Sequence, residues 1–342
     1  MEHNKKHILI ATPIYPPDIG GPAQYAVMLR DGFEKSGHTV SVVSYGTLMR
    51  LPTGVRHLAY LCKLVPHAFS ADTIVVLDTF SAAVPAIMLA KLLRKKTIVR
   101  VGGDFLWESY VERTHEPVLL SEFYTNSSQR QLLYTQKEKK IFDLTMYVFR
   151  HATHIVFSTV WQRDIMMKPY DIVSSKVRVI ENLYPARAKR NLVPKKKLIL
   201  SPSRDIFLKN THGLEAAFEI LKQRFIDIYI DTATSSREVL LDRMSLAYCL
   251  VVPSLSEVSP NIVIDAVTMG VPVVVTEDCG IKDRLSDTVV WVDPRKPESI
   301  ADGIALILDA QKYAEYMTKL SKFDVTHTAD EIVQEFEELF DK

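Results

Sequence analysis

The sequence of 342 residues has no long hydrophobic run and very little cysteine. Uncharged, mostly apolar stretches such as 79–90, which is 12 residues long, are too short to span a bilayer, because a spanning helix needs about 20 residues. The three cysteines (Cys62, Cys249 and Cys279) are far apart and odd in number, which argues against a disulfide framework and offers no metal-binding spacing. An apolar strand pattern begins at His7, so we expect no signal peptide. We therefore expect a cytoplasmic protein of roughly two domains.

Several enzyme motifs are also missing. The sequence contains no G-x-x-x-x-G-K-[ST], which excludes P-loop chemistry, and no G-x-G-x-x-G, which argues against a nicotinamide oxidoreductase of similar build. It has no D-x-D to hold a metal ion. Its basic residues form no pattern of the nucleic-acid-binding modules, so nucleic acid is not an expected partner.

The charge balance is uneven along the chain. Residues 1–200 carry 28 Lys and Arg against 16 Asp and Glu, a balance of +12, whereas residues 201–342 carry 14 against 25, a balance of −11. A basic half of this kind favours an anionic partner or surface. The alternative is that two oppositely charged halves merely attract each other.

Short β-branched runs alternate with amphipathic helical patterns over most of the chain, which predicts βαβ units and a parallel sheet. A proline-containing basic stretch, 182–197, indicates a linker, and a polar, aromatic stretch, 107–150, indicates a helical insertion on the rim of the first sheet. We therefore predict an α/β protein of two Rossmann-like doubly wound domains that face a cleft. The predicted boundaries are 1–189 for the first domain, 190–325 for a shortened second domain, and 326–342 for a helix that crosses back to the first. The predicted strands are 7–12, 39–44, 73–78, 97–103, 154–159, 197–203, 225–231, 249–254, 271–276 and 288–292.

Ligands of open α/β sheets bind beyond the carboxyl ends of the strands, and the loop after the first strand is PIYPPDIGGPAQ. Gly20 and Gly21 allow a close approach of the backbone to a ligand, and Pro22 suits a first helical turn. The alternative is a tight turn with no ligand.

The loop after the strand at 197–203 carries two cations, Arg204 and Lys209, five residues apart and just before a helix. Such a pair can neutralise the charge of a departing diphosphate. A solvated loop is the alternative.

The stretch SLSEVSPNIVIDAVTMGVPVVVT contains a helix start, for which Ser259 is the expected cap and Pro260 the expected first residue. The amides of Asn261 and Ile262 would then face an anion. Glu257 and Asp265 lie eight residues apart beside that site, which makes sense where phosphate and sugar hydroxyls bind together, because carboxylates accept hydrogen bonds from hydroxyls. A favourable charge at a helix start and a solvated helix face are the alternatives.

Taken together, these stretches resemble glycosyltransferase family 4, the retaining, nucleotide-sugar-dependent class with the GT-B fold. The resemblance rests on the PPDIGG loop, the R-x4-K pair, the E-x7-E element and a RVIENLYP turn that places Asn182, and it covers nearly the whole chain. It implies an acceptor-side first domain and a donor-binding second domain. It also implies transfer of a hexose-type sugar from a nucleoside-diphosphate sugar to a glycan or lipid-linked acceptor, without a metal ion or other cofactor. The implied contacts are Arg204 and Lys209 with the diphosphate, Glu257 with the donor sugar, Asp265 with the ribose, Asn261 and Ile262 with the phosphate or sugar, and Gly20 and Gly21 across the cleft.

The chain departs from the family pattern in three places. The second carboxylate of E-x7-E is Asp265, which is one methylene shorter than the usual Glu. Where many members have a His after the fourth strand, this chain has Gly102, Gly103 and Asp104; Asp104 would take over contact with the sugar or acceptor, unless it is a polar turn residue. The stretch 223–248 is short, which leaves a uridine or a guanosine donor equally open. A binding protein without catalytic activity is the alternative function.

A run at 50–67 has the pattern of an interfacial amphipathic helix. It interleaves Arg56, His57, Lys63 and His67 with Leu58, Tyr60, Leu61, Leu64 and Val65. A second basic cluster, 91–96, could join it. Each basic residue near an anionic leaflet contributes about 1 kcal/mol, so the sequence predicts peripheral attachment to the inner face of a membrane, with ordinary solvated helix ends as the alternative.

Overall fold

The computed structural model describes residues 5–18, 20–125, 127–187, 194 and 196–341. Much of the predicted linker, 182–197, lies outside the described residues. The chain forms two compact units that are discontinuous in sequence. Unit 1 comprises Met1–Ser109, Asn126–Asn182 and Thr328–Lys342, and unit 2 comprises Tyr110–Thr125 and Leu183–His327. The division therefore falls at Asn182 rather than at residue 189, and a segment of the predicted insertion belongs to unit 2.

The helices and strands alternate along most of the chain, as a βαβ arrangement requires. The strands are β1 His7–Thr12, β2 Thr39–Ser44, β3 Thr73–Val76, β4 Lys96–Val101, β5 His154–Phe157, β6 Val177–Val179, β7 Lys197–Leu200, β8 Ile228–Asp231, β9 Cys249–Val252, β10 Val273–Thr276 and β11 Val290–Val292. The helices are α1 Gly21–Lys35, α2 Thr53–Ser70, α3 Ala83–Leu93, α4 Phe105–Thr114, α5 Leu120–Phe123, α6 Ser127–Gln131, α7 Gln136–His151, α8 Val160–Met167, α9 Thr211–Lys222, α10 Arg237–Leu246, α11 Asn261–Thr268, α12 Lys282–Leu285, α13 Pro297–Leu308, α14 Ala310–Ser321 and α15 Ala329–Glu337.

Each unit is built on a parallel sheet, which confirms the predicted α/β fold class. The strand order is β2-β1-β3-β4-β5-β6 in unit 1 and β11-β10-β9-β7-β8 in unit 2. The ten predicted strands are confirmed to within a few residues. The structure adds one short strand, β6, which the sequence pattern did not predict.

The sheet of unit 2 is covered on both faces. Successive residues of its strands alternate between two hydrophobic clusters, because side chains along a strand point to opposite faces. One cluster takes Leu250 and Val252 of β9 together with residues of α10 and α11. The other takes Cys249 and Val251 together with residues of α9 and α13. The apolar runs of these short strands are therefore explained by burial on two faces.

The last helix, α15, belongs to unit 1 and packs against α1. A Cβ on Gly32 would lie 2.3 Å from Cγ2 of Val333, so glycine lets the two helices approach closely. The rings of Phe33 and Phe336 meet edge to face with centroids 6.3 Å apart. The final residues of the chain thus help to hold the helix that follows β1.

Candidate functional site

The predicted donor-binding residues gather at the carboxyl edge of the sheet in unit 2. Strands β9, β7 and β8 are neighbours there, and the loops that follow them are 253–260, 201–210 and 232–236. Since all three strands are parallel, their loops emerge at the same edge, where open α/β sheets bind ligands.

Lys209 and Glu257 form an ion pair at this edge. Nζ of Lys209 lies 2.7 Å from Oε1 of Glu257, and the hydroxyl of Ser254 donates to the same oxygen at 2.7 Å. The side chains of Lys209 and Glu257 are 25% and 14% exposed. The structure therefore brings the cation of R-x4-K and the first carboxylate of E-x7-E into direct contact.

Backbone and amide hydrogen bonds fix the two loops to each other. The amide of Leu255 donates to the carbonyl of Leu208 at 2.9 Å. Asn210 has a φ of 57°, and its side-chain amide donates to the carbonyls of Pro253 at 2.9 Å and Pro294 at 2.6 Å. These bonds set the position of Lys209 from both sides.

Arg204 lies earlier in the loop 201–210 and is exposed. Its backbone carbonyl accepts from the amide of Ile206 at 2.9 Å, which starts the turn that leads to Lys209. A joint contact of Arg204 and Lys209 with a diphosphate stays a prediction.

Helix α11 begins one residue later than the sequence indicates. Pro260 is the N-cap and Asn261 the first helical residue, so the assignment of Ser259 as cap and Pro260 as first residue is wrong. The carbonyl of Pro260 accepts from the amides of Val263 at 3.0 Å and Ile264 at 3.3 Å. Asn261 and Ile262 precede these bonds in the first turn, where helix amides lack intrahelical acceptors, so the predicted anion contact stays a prediction for both.

Asp265 is a buried carboxylate in the middle of α11. Its Oδ1 accepts from Nη2 of Arg237 at 2.6 Å, and its side chain is 7% exposed. Burial raises the pKa of the Asp265 carboxyl, and the charge and hydrogen bond of Arg237 oppose that rise. Sequence reasoning missed Arg237, although it follows β8 at the carboxyl edge of the same sheet.

Glu112 is a second residue that sequence reasoning missed. Its carboxylate oxygens accept from the amides of Phe207 at 3.2 Å and Leu208 at 2.9 Å, at the start of the short turn Phe207–Lys209. The ring of His115 stacks on Phe207 with centroids 4.8 Å apart. Because these contacts join residues 92 to 96 positions apart, no local pattern in the sequence could have revealed them.

The remaining predicted residues lie in unit 1. Gly20 has a φ of +155°, and a Cβ there would lie 2.9 Å from Cδ1 of Ile14, so the turn before α1 requires glycine. Helix α1 starts at Gly21 with Pro22 in its first turn, as predicted. Asp104 is buried, and its Oδ1 accepts from the amides of Leu106 and Trp107, each at 3.0 Å. Asp104 thus caps α4, and its contact with a substrate stays a prediction.

The described residues lack two further features. No group of three or more His, Cys, Asp or Glu side chains is placed to hold a metal ion. Within the same residues, no helix combines the length and the apolar character needed to cross a membrane.

Part of the chain is similar in sequence to known glycosyltransferases. Residues 232–322 match the family of group 1 glycosyl transferases, and this segment includes Arg237, Glu257 and Asp265. A segment of 78 residues is 33% identical to an uncharacterized glycosyltransferase of Methanocaldococcus jannaschii, MJ1607. That match covers 22% of this chain and about a fifth (20%) of the relative.

The fold is similar to several solved structures over almost the whole chain. Sucrose-phosphate synthase from Thermosynechococcus elongatus gives a TM-score of 0.70 at 15% identity, with 99% of this chain and 98% of that chain covered. Anabaena Alr3699/HepE in complex with UDP gives 0.63 at 13% identity over 99% and 100%. The same protein with UDP-glucose gives 0.65 at 14% identity over 98% and 99%. The chain therefore has the fold of GT-B glycosyltransferases, and its residues 232–322 are similar to the group 1 glycosyl transferases.

Proposed function

We propose that the protein is a retaining glycosyltransferase that moves a hexose-type sugar from a nucleoside-diphosphate sugar to a hydroxyl of a glycan or lipid-linked acceptor. The observation that carries this proposal is the contact of Lys209 with Glu257 at the carboxyl edge of the unit 2 sheet. A cation suited to phosphate and a carboxylate suited to sugar hydroxyls stand next to each other there. In a nucleoside-diphosphate sugar the diphosphate and the sugar hydroxyls are adjacent in the same way, so that one donor could contact both side chains.

The chemistry follows from where charge develops. The bond between the anomeric carbon and the diphosphate oxygen breaks, which leaves positive charge on the sugar ring and negative charge on the diphosphate. Lys209 and Arg204 would stabilise the diphosphate, and the start of α11 would add its amides. The acceptor oxygen bonds to the anomeric carbon on the face that the diphosphate leaves, and its proton passes to a phosphate oxygen. On this scheme Glu257 orients the sugar through its hydroxyls.

The proposal of a nucleotide donor rests on the similarity to a solved structure and on a carboxylate of the candidate site. The similar Anabaena protein was solved with UDP and with UDP-glucose, and the Asp265 carboxylate would accept hydrogen bonds from the ribose hydroxyls. We keep uridine and guanosine donors as the two candidates. We further propose that Lys209 and Arg204, rather than a metal ion, neutralise the diphosphate, so that a chelator such as EDTA leaves turnover unchanged.

The experiment is a thermal-shift panel of nucleotide sugars with UDP and GDP bases, followed by transfer assays with the best donor and a set of glycan and lipid-linked acceptors. Transfer with the anomeric configuration kept supports the proposal, whereas inversion contradicts the retaining mechanism. Donor binding with neither transfer nor donor hydrolysis would favour the alternative of a binding protein.

We also propose that α2 and α3 form an attachment face for an anionic membrane. The structure changes which residues could serve, because Tyr60 and Leu64 are fully buried in the core and cannot meet lipid. The exposed apolar residues of these helices are Val55, Leu58, Phe69, Met88 and Leu92, with Leu58 and Phe69 63% and 64% exposed. Lys63 is exposed among them, which is the mixture that interfacial helices present to lipid.

Co-sedimentation with liposomes that contain anionic lipid, at low and high salt, tests this face. We expect Arg56→Glu with Lys63→Glu to abolish binding while turnover of a soluble acceptor analogue is kept. Lys222→Glu with Lys322→Glu is the matched control, because it makes the same charge change on unit 2. If binding is absent at low salt, or does not depend on lipid charge, the attachment face is contradicted and the acceptor is expected to be a soluble molecule.

A further inference from the structure

Arg237 and Asp265 belong to two helices that follow β8 and β9, the strands on either side of β7 in the unit 2 sheet. Arg237 is the first residue of α10, which follows β8, and Asp265 is the fifth residue of α11, which follows β9. The guanidinium is 37% exposed, whereas the carboxylate is 7% exposed. The pair therefore reaches from the surface of the candidate site into the body of the unit.

A carboxylate this deeply buried needs a partner to stay charged, because removing an ion from water is costly. Arg237 supplies that partner at 2.6 Å. An ionised carboxylate offers about four acceptor positions, so one guanidinium N–H leaves others for hydroxyl groups. The shorter side chain of Asp265, compared with the glutamate that the resemblance implies, makes the direction of the carboxylate more important for reaching a ribose.

We propose that Arg237 is a positioning residue of the nucleotide site, and that it fixes the Asp265 carboxylate in the direction from which ribose hydroxyls bind. This inference rests on the proposed function and names a residue for it. Arg237 acts through Asp265, so its loss weakens the binding of a nucleoside diphosphate more than it lowers the stability of unit 2.

The start of α10 is itself held in place. Arg243 donates to Oδ2 of Asp231 at 2.8 Å, to the carbonyl of Ala233 at 2.8 Å and to the hydroxyl of Ser235 at 3.0 Å. These bonds tie the loop between β8 and α10 to the next turn of the helix. Arg237 thus extends toward Asp265 from a fixed backbone.

A merely structural ion pair between α10 and α11 would affect stability alone, so the test needs a readout specific to the ribose contact. That readout is the pH dependence of nucleotide affinity. Arg237 lowers the pKa of Asp265 against the effect of burial, and its loss therefore moves the carboxyl titration to higher pH. Among the described residues, Arg237 is the charged group that acts on the pKa of Asp265. A change in that pKa on replacing Arg237 is therefore attributable to the loss of this one charge.

Affinity for UDP and for GDP is measured by calorimetry from acidic to neutral pH, because burial raises the pKa of the Asp265 carboxyl. We expect Arg237→Gln to weaken binding of the preferred diphosphate about tenfold or more, the effect of losing one charge-assisted interaction. We also expect the acid-side loss of affinity to move to higher pH. In Asp265→Asn the part of the pH dependence that comes from Asp265 should be lost, leaving the titration of the diphosphate itself, whose terminal phosphate has a pKa of about 6. Adding Arg237→Gln to Asp265→Asn should change nothing further.

Arg224→Gln is the matched control, because it removes an arginine of unit 2 that pairs with the exposed Asp302 at 3.2 Å. Arg237→Lys guards against a folding defect, since it keeps the charge and should keep the midpoint of the pH profile. A folded Arg237→Gln with the affinity and pH profile of the wild type overturns the inference and leaves the proposed function standing. A wild type that binds neither UDP nor GDP overturns both.

Discussion

Replacing Lys209 by methionine tests the contact on which the proposed function depends. Methionine keeps most of the length and the apolar stem of lysine but removes the charge. Two things are lost together: the cation that would face the diphosphate, and the partner of Glu257 at 2.7 Å. The first loss affects turnover, and the second affects the folded protein.

The two losses differ in size. Removing one preorganised donor to a developing negative charge costs about 10²–10³ in turnover, which is about 2.7–4 kcal/mol of barrier. The stability cost is smaller, because Glu257 remains 14% exposed and keeps its hydrogen bond from Ser254. A hydrogen bond to a charged group contributes roughly 1.5–3 kcal/mol to stability, and we expect the lower end of that range for a partly exposed pair.

The assay is steady-state transfer from the preferred nucleotide sugar, with thermal unfolding measured on the same preparation. Lys222→Met is the matched control, because Lys222 pairs with Glu219 at the same 2.7 Å on the exposed surface of α9. The control should retain turnover. Near-wild-type turnover in a folded Lys209→Met, or in the Arg204→Ala, Lys209→Ala double variant, would refute the assignment of the diphosphate site.

Three further predictions test other residues. Glu257→Gln should lower turnover more than nucleotide affinity, whereas Asp265→Ala should weaken binding of free nucleoside diphosphate; unchanged diphosphate affinity in Asp265→Ala, measured by calorimetry, would contradict this division. Glu112→Ala removes the acceptor of two loop amides and should lower turnover about tenfold, with Glu112→Gln in between, because an unmet buried donor costs about 1–3 kcal/mol; equal kinetics for both variants and wild type would mean that the loop needs no such support. Gly32→Val should lower the melting temperature of unit 1, because a Cβ there would meet Val333 at 2.3 Å; an unchanged melting curve would count against the close approach of α1 and α15.

The fold was predictable from sequence because its signals are local. The strand 7–12 and the helix after Gly21 are visible from periodicity and from Pro22, and the structure confirms both. The boundaries of the units were harder to predict from the sequence. Residues 110–125 look like a continuation of the helical insertion, and their place in unit 2 depends on contacts with distant loops.

The candidate site divides in the same way. The pairing of Lys209 with Glu257 could be anticipated, because both residues follow strands that parallel topology brings to one edge. The positions of Arg237 and Glu112 could not, because an isolated Arg or Glu at a helix surface has the same local pattern when it is merely solvated. The cap at Pro260 differs from the expected Ser259 by one residue, which is the usual uncertainty of a helix end.

The discontinuous units have a consequence for synthesis of the chain. A polypeptide emerges from the ribosome in sequence order, and domains generally fold as they become complete. Unit 1 lacks its last helix until Thr328–Lys342 has been made, while unit 2 needs residues 110–125 from early in the chain and is complete at His327. The unit that starts first can therefore finish last. Until α15 is made, the apolar surface of unit 1 at Gly32 and Phe33 stays uncovered. A stop codon before residue 328 would therefore damage unit 1, which contains the amino-terminal sheet, rather than unit 2, which precedes that codon directly in the sequence.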